Sequence, residues 1–178
     1  ELDSGDILAR NFLPINETTT IANVYSEFEI LIPKMFHECL NLLKKTPKYI
    51  LEKQSRNKEK ALRCYPRKPQ DGKIDWNNSA INIHRLVRAS SEPYSGAYTY
   101  LDGEKVIIWK SQLLKDEENW IGIPGQFAEF DNQGFLNILT GKGKLKLIEV
   151  EYKNQTNKPK LFFKSMRNRF QQNKNDLI

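Results

Sequence analysis

Apolar side chains follow two different periods along this chain. Between residues 21 and 45 they recur every three or four positions, as Val24, Phe28 and Leu31 illustrate, and this spacing predicts one apolar face of a long α-helix. Pro33 lies inside this run, so a kink or a break in the helix is expected there. The apolar face needs a partner that the segment itself does not supply, and a parallel sheet formed by an upstream part of the protein is the natural candidate.

After residue 93 the period changes to two, which predicts β-strands. Alternating segments at 98–101 and 105–109 flank Asp102 and Gly103, and an Asp-Gly pair suits the type I′ turn of a β-hairpin. Three more short strands, separated by glycine-containing turns, are predicted at 126–130, 135–140 and 145–152. Five short strands accompanied by one short helix favour a small β-barrel.

Less regular segments lie between and before these regions. Residues 6–15 are predicted to form a strand that Pro14 ends. Residues 46–72 are basic, contain three prolines and show no sustained period, which is typical of a linker. Residues 77–79 offer capping side chains for a short helix that ends near residue 90.

Composition narrows the class of protein further. The 178 residues are 39% hydrophobic, enough for an ordinary core, and the sequence has no run of about 18 apolar residues, so no membrane partner is predicted. The start is acidic and does not resemble a signal peptide. Cys39 and Cys64 lack the spacing of a metal site and indicate reduced thiols, so a cytoplasmic protein without a bound metal is expected.

The net charge of +6 is concentrated in two segments. Residues 44–68 contain ten basic side chains against Glu52 and Glu59, and residues 142–178 contain ten against three acidic ones. Such segments suit a phosphate-bearing partner. For the C-terminal segment a solvated surface with a frayed end is the favoured interpretation, because few large apolar residues occur beyond Phe170.

Side chains suited to self-contained catalysis are scarce. His37 and His84 both fall in predicted helices, where packing or surface roles are favoured over a general-base role. The order of residues matches no Ser-His-Asp triad, phosphate loop or metal cluster. Asp3, just ahead of Gly5, supports two equal interpretations. It is either a turn-forming carboxylate that bonds its own backbone or a carboxylate that holds a neighbouring imidazole protonated.

Several sequence blocks resemble one known enzyme family. The first is Glu-Leu-Asp-Ser-Gly-Asp-Ile-Leu at 1–8, and the others are Asp-Gly-Lys-Ile-Asp-Trp at 71–76, Leu-Val-Arg-Ala at 86–89, Glu-Pro-Tyr-Ser-Gly-Ala-Tyr at 92–98 and Ile-Trp-Lys at 108–110. In this order and spacing they resemble the 10-formyltetrahydrofolate-dependent formyltransferases. The residues of these blocks are most similar to those of family members that formylate nucleotide-linked amino sugars. Methionyl-tRNA formyltransferase, another member, shares the Ile-Asp-Trp block.

The resemblance implies an α+β fold. The trailing strand and helix of a Rossmann-like formyltransferase domain would precede a linker and a small OB-like β-barrel domain with a short helix. The expected boundaries are 1–52 for the C-terminal part of the catalytic domain, 53–73 for the linker and 74–178 for the OB-like domain. The chain is therefore expected to be the downstream part of a longer enzyme.

The resemblance also implies a divided reaction centre. In the family a substrate amine attacks the formyl carbon of 10-formyltetrahydrofolate, while an Asn and a protonated His stabilise the oxyanion. Asp3 matches the Asp that raises the pKa of this His, and Glu1, Leu2 and Asp3 match the loop that lines the folate pocket. The Asn and the His have no match in this chain, so these 178 residues alone are expected neither to transfer formyl groups nor to hold folate tightly.

Three cations at the end of the linker are candidates for substrate binding. Arg63, Arg67 and Lys68 could reach a nucleotide diphosphate or a folate glutamate, because guanidinium groups pair well with planar anions. A linker whose charges stay in water is the slightly favoured alternative. Core packing is favoured over an aromatic binding platform for Trp76, Tyr94 and Trp109.

The predicted function is that of the C-terminal part of an N-formyltransferase that acts on the amine of a nucleotide-linked amino sugar in lipopolysaccharide biosynthesis. The alternative is methionyl-tRNA formyltransferase, with initiator Met-tRNA as the partner. A non-catalytic nucleic-acid-binding OB module is a further alternative, which the few exposed aromatic candidates on the strands disfavour. The sequence does not decide whether the protein forms a homodimer.

Overall fold

The computed structural model describes residues 5–46, 52–57, 59, 62–115 and 120–171. The chain divides into two units, Glu1–Pro66 and Arg67–Ile178. The boundary between them lies within the segment predicted to be a linker.

Helix α1, Ile21–Lys45, is the main element of the first unit. A capping box begins it, because the Asn23 amide donates to Thr20 Oγ1 and the Thr20 amide donates to Asn23 Oδ1 at 2.9 Å. The helix continues through Pro33, so of the kink or break expected there, the break is wrong. Pro33 leaves the Glu29 carbonyl without its usual donor, and Glu29 lies on the exposed side of the helix, where water can take that role.

The apolar face of α1 is only partly covered. Its members range from buried to exposed: Cys39 is buried, Val24, Leu31 and Met35 are half-buried, and Phe28 and Leu42 are each 42% exposed. Ile32 and Phe36, which lie beside this face, are 59% and 66% exposed. An amphipathic helix gains most of its stability by burying its apolar face. Apolar side chains thus remain exposed on and beside this face, and its packing against an upstream sheet stays a prediction.

The strand predicted at 6–15 is not formed. Ile7 makes an isolated antiparallel bridge with Glu52, with backbone hydrogen bonds of 2.9 and 3.2 Å, and the Arg10 guanidinium donates to the Glu52 carboxylate at 2.8 Å. Nearly all of the segment is exposed. A strand needs a neighbour for its backbone groups, and within the described residues Glu52 is the one residue that pairs with this segment.

The second unit is a mixed α/β fold built on one antiparallel sheet. Its elements are a 3₁₀ turn at Pro69–Gly72, helix α2 at Ala80–Ser90, strands β1 at Ala97–Leu101, β2 at Glu104–Leu113, β3 at Phe127–Phe130, β4 at Leu136–Leu139, β5 at Lys144–Tyr152 and β6 at Gln155–Asn157, and helix α3 at Pro159–Phe162.

The strands pair in the order β1-β2-β5-β4-β3, with β6 added to β5. The β1–β2 hairpin turns at Asp102 and Gly103, whose φ angles of 50° and 78° are those that a type I′ turn requires, so the predicted hairpin is confirmed. Register shifts on either side of Lys110 interrupt the β2–β5 ladder. The ladder leaves β1 and β3 as its two ends.

Helix α2 covers the sheet and completes a single core. Ile83 and Val87 on one face of α2 are buried. The helix is held at its start by the β4–β5 turn, because the Ala80 amide donates to the Lys142 carbonyl at 2.9 Å. The largest fully buried side chains around it are Trp76, Ile74, Ile108, Leu136, Ile138, Leu145 and Leu147.

The C-terminal segment is ordered as far as residue 171, and the frayed end predicted beyond Phe170 lies almost entirely outside the described residues. The segment contains β6, α3 and the final described residues. Residues 168–171 are here called the C-terminal strap. Phe162, Phe163 and Phe170 belong to the core cluster or pack against it. Burial of these aromatic rings outweighs the high local charge of the segment.

Candidate functional site

The residues proposed for the reaction centre, Glu1, Leu2 and Asp3, lie outside the described residues. Close to them, Gly5 is exposed, and a Cβ placed there would meet no atom within 4 Å. The described structure therefore shows open space around Gly5.

The three predicted substrate-binding cations are divided between the two units. In the first unit the Arg63 guanidinium lies 5.5 Å from the centre of the Tyr65 ring, a cation–π contact on an exposed segment. Arg67 and Lys68 belong to the second unit.

Arg67 is tied to two elements of the second unit. Its Nη2 donates to the Asp71 carbonyl at 2.9 Å and to Ser90 Oγ at 3.3 Å. The Asp71 carboxylate in turn accepts a hydrogen bond from the Lys68 amide at 2.7 Å, which caps the start of the 3₁₀ turn. The structure thus brings Arg67 and Lys68 together around Asp71, with one Arg67 nitrogen already engaged by the protein.

Next to this turn, Tyr98, Tyr100 and Lys105 form an aromatic and cationic group on the hairpin. The Tyr98 and Tyr100 rings meet edge to face at 5.9 Å, and Lys105 Nζ lies 4.4 Å from the centre of the Tyr98 ring. Burial raises the pKa of Tyr98, and the negative charges of ionised Tyr100 and Asp71 raise it further. At neutral pH this phenol is therefore a hydrogen-bond donor.

Sequence reasoning missed this group, although a signal was present. Residues two apart in a strand share a face, which places Tyr98 and Tyr100 together. Lys105 is the register partner of Tyr100 across the predicted hairpin. Aromatic faces combined with an ammonium group suit planar or anionic ligands.

The Ile-Asp-Trp block at 74–76 has a structural role. Asp75 Oδ1 accepts from the backbone amide and the side-chain amide of Asn77, at 3.0 and 2.9 Å, which forms the turn ahead of α2. Trp76 is 1% exposed, and its indole donates to Thr99 Oγ1 at 3.0 Å. Gly141 closes the turn from the other side, because its amide donates to the Trp76 carbonyl at 2.8 Å.

Core packing and an aromatic binding platform were the two alternatives for three aromatic residues, and the structure places the three differently. Trp76 lies in the core, as favoured. Trp109 is half-buried and donates from Nε1 to Glu151 Oε2 at 3.0 Å. Tyr94 is 49% exposed, so core packing was the wrong interpretation for it.

Both histidines occupy the kinds of position expected of them. His37 lies on the exposed side of α1. His84 is buried on α2, with Nδ1 2.8 Å from Ser111 Oγ. Among the residues that the structure describes, no group of three or more His, Cys, Asp or Glu side chains is placed to hold a metal ion.

Comparison with known families decides the affiliation. Residues 67–167 match the family described as "Formyl transferase, C-terminal domain", which is more than half of the chain. The chain belongs to the formyltransferase family. The matched range begins at Arg67, where the second unit begins.

Relatives of two kinds are similar to the chain. The bifunctional polymyxin resistance protein ArnA of Wigglesworthia glossinidia brevipalpis is 32% identical over 160 residues, which cover 85% of this chain and 22% of ArnA. Methionyl-tRNA formyltransferase of Coxiella burnetii is 31% identical over 152 residues, which cover 84% of this chain and 46% of the relative. The chain thus spans less than half the length of either relative.

A solved structure has a similar fold. HypX from Aquifex aeolicus in complex with tetrahydrofolic acid aligns with a TM-score of 0.58 and 19% identity over 86% of this chain and 26% of HypX. No helix in the described part of the chain is long and apolar enough to cross a membrane.

Proposed function

We propose that this chain is the C-terminal part of an N-formyltransferase that transfers a formyl group from 10-formyltetrahydrofolate to the amine of a nucleotide-linked amino sugar. The observation that carries the proposal is the formyltransferase match over residues 67–167 together with ArnA among the relatives. The expected setting is the cytoplasm, in lipopolysaccharide biosynthesis.

The proposed chemistry is an acyl transfer. The substrate amine attacks the formyl carbon, a new C–N bond forms, and the bond from that carbon to the folate nitrogen breaks while a proton moves from the amine to that nitrogen. Asp3 would hold the family's His protonated by its negative charge, and the His would stabilise the oxyanion. Glu1 and Leu2 would line the folate pocket with Asp3. The tetrahydrofolate in HypX supports a folate cofactor for proteins of this fold.

The exposed face of α1 supports the proposed fold of the whole enzyme. Tyr25, Ile32 and Phe36 would pack against the sheet of a Rossmann-like catalytic domain, which the greater length of the relatives leaves room for. The second unit would be the OB-like barrel, in which the C-terminal strap joins the two ends of the ladder. Residues 53–73 would then be the linker between the two domains.

Product analysis with the full-length enzyme tests the proposal. The enzyme is incubated with 10-formyltetrahydrofolate and, in turn, dTDP-, UDP- and GDP-linked amino sugars, and mass spectrometry detects the gain of a formyl group. Asp3→Asn should lose most of the turnover, whereas the matched control Asp6→Asn, three residues along, should keep it. Formylation of none of the amino sugars would contradict the proposal.

The role of the linker cations has its own test. Charge reversal by Arg67→Glu should weaken sugar-nucleotide binding if this residue contacts the diphosphate, and Arg63→Glu is the matched change in the other unit. Unchanged substrate affinity in both variants would support solvated linker charges. The isolated 178-residue chain should show neither formyl transfer nor tight folate binding, and normal turnover by it would overturn that part of the proposal.

Methionyl-tRNA formyltransferase is the second candidate. It is supported by the Coxiella burnetii relative and by six cations without any acidic residue between residues 152 and 171, namely Lys153, Lys158, Lys160, Lys164, Arg167 and Arg169. Initiator Met-tRNA would be the partner. Formylation of Met-tRNA and a steep salt dependence of RNA affinity would favour it, while salt-dependent RNA binding without any formylation would favour a non-catalytic module.

A further inference from the structure

The C-terminal strap bridges the two ends of the strand ladder by main-chain hydrogen bonds. Towards β1, the Tyr100 amide donates to the Gln171 carbonyl at 3.2 Å, and the Gln171 amide donates back at 2.8 Å. Towards β3, the Phe127 amide donates to the Asn168 carbonyl at 3.2 Å, and the Phe170 amide donates to the Gly125 carbonyl at 2.9 Å. A four-residue segment therefore meets both ends of the ladder.

One aromatic side chain anchors the strap. Phe170 is 3% exposed and stacks on Trp76 with ring centres 5.5 Å apart and an interplanar angle of 13°. It also meets the Phe127 ring at 4.8 Å and the Phe163 ring at 5.8 Å, both edge to face. Phe170 thus fills a pocket formed by Trp76 and Phe127, which are distant in sequence, and by the nearby Phe163.

Two features of the surrounding chain fit the backbone of the strap. Thr99 Oγ1 donates to the Gln171 carbonyl at 2.9 Å. Gly125 has a φ of +87°, and a Cβ at that position would lie 2.6 Å from the Phe170 carbonyl oxygen. A side chain at Gly125 would therefore obstruct the strap, and glycine permits the close approach.

We propose that the gap between β1 and β3 is a strand-binding groove with one aromatic pocket, that the chain fills it with its own residues 168–171, and that this strap can exchange for the same segment supplied in trans. Main-chain hydrogen bonds to strand edges combined with a pocket for one side chain are the means by which sheets bind extended peptides. The strap lies just beyond the family match at 67–167. Because the inference rests only on the contacts of the strap with β1, β3 and the aromatic pocket, it does not depend on the proposed formyl transfer.

Hydrogen exchange in the full chain tests the first part. Phe170→Ala should empty the pocket, and the amides of Tyr100 and Phe127 should then exchange about tenfold faster or more, because the strap opens as a local unit. The β4–β5 ladder should keep its protection. The matched control Phe162→Ala removes a ring from the same aromatic neighbourhood outside the strap, and it should leave the Tyr100 and Phe127 amides protected.

Addition of a peptide tests the exchange. A synthetic peptide of residues 165–171, in excess over the Phe170→Ala chain, should restore protection at Tyr100 and Phe127, and the same peptide with alanine for phenylalanine should not. Phe170→Leu, which keeps most of the apolar volume, provides the same readout in case the alanine variant does not fold. Equal loss of protection across all strands, unchanged exchange at Tyr100 and Phe127, or no restoration by the wild-type peptide would each overturn the proposal.

Discussion

The indole Nε1 of Trp76 donates a hydrogen bond of 3.0 Å to Thr99 Oγ1, and both side chains are almost completely buried. The same hydroxyl donates to the Gln171 carbonyl at 2.9 Å. Thr99 therefore links the Ile-Asp-Trp block to the end of the described chain. A buried donor that loses its only acceptor costs more free energy than the hydrogen bond itself contributes.

Thr99→Val should consequently destabilise the second unit. It keeps the shape of the side chain but leaves the Trp76 indole and the Gln171 carbonyl without this hydroxyl, and a loss of about 1–3 kcal/mol in the free energy of unfolding is expected. Urea denaturation followed by tryptophan fluorescence measures it. Thr99→Ser, which retains the hydroxyl, should recover most of the loss, and equal destabilisation by both variants would contradict this explanation.

A methyl group at Gly141 should disrupt the turn ahead of α2. A Cβ at this position would clash with the Asn77 carbonyl oxygen, a backbone atom that moves only with its turn. Gly141→Ala should therefore destabilise the protein by about 1–3 kcal/mol, in the range of overpacking. Gly5→Ala is the matched control, because a Cβ there meets open space. Chemical denaturation of the two variants provides the comparison, and similar stabilities would show that the turn adapts.

Asp131 should contribute to stability in a pH-dependent way. Burial raises its pKa, but hydrogen bonds from Lys146 and from the Phe135 and Gln133 amides outweigh it, so the pKa is lowered from its ordinary value of 3.8. A lowered pKa in the folded state means that the stabilisation is complete above the unfolded value, and it is lost as the pH falls from about 4 through the folded value.

Asp131→Asn should therefore weaken the dependence of the free energy of unfolding on pH below about pH 4. Urea titrations between pH 6 and the acid range would reveal the difference. Gln133→Ala is the control, since the Gln133 backbone amide still donates to the carboxylate at 2.9 Å. An acid dependence in the asparagine variant identical to that of the wild type would assign the effect to other carboxylates.

Substitutions on the open face of α1 should cost the isolated chain little. Ile32→Ser and Phe36→Ser change side chains that are more than half exposed, so the free energy of unfolding should stay within about 0.5 kcal/mol. Self-association should fall, because exposed apolar faces promote it. Sedimentation velocity over a range of concentrations measures this, with Glu27→Ser as the control on the opposite, polar side of the helix. Marked destabilisation would show that the face is already covered in solution.

Elements with local causes were predictable from the sequence. Helix α1 was expected between residues 21 and 45 and spans Ile21–Lys45. The hairpin around Asp102 and Gly103 has its cause in two adjacent residues. The predicted strands at 126–130, 135–140 and 145–152 correspond to β3, β4 and β5 within a few residues at each end.

Features whose partners are distant in sequence were not predictable. The strap is ordered by Tyr100 and Gly125, which lie far upstream, and no local pattern announces those contacts. The reverse error occurred at residues 6–15, where the pattern suits a strand but a neighbouring strand is not found among the described residues.

The candidate site was predictable only in part. Charge alone marked Arg67 as available for an anion, but its contact with Ser90 depends on how α2 ends. The roles of Asp3 and the linker cations stay predictions.

The hydrogen bonds of Arg67 to the Asp71 carbonyl and Ser90 have a practical consequence. They fix the first residue of the second unit, at the point where that unit separates from Glu1–Pro66. A recombinant product that starts at Arg67 would retain these contacts, whereas one trimmed to Lys73 would forfeit them and expose the end of α2. A truncated protein made to crystallise or label the second unit should therefore start at Arg67.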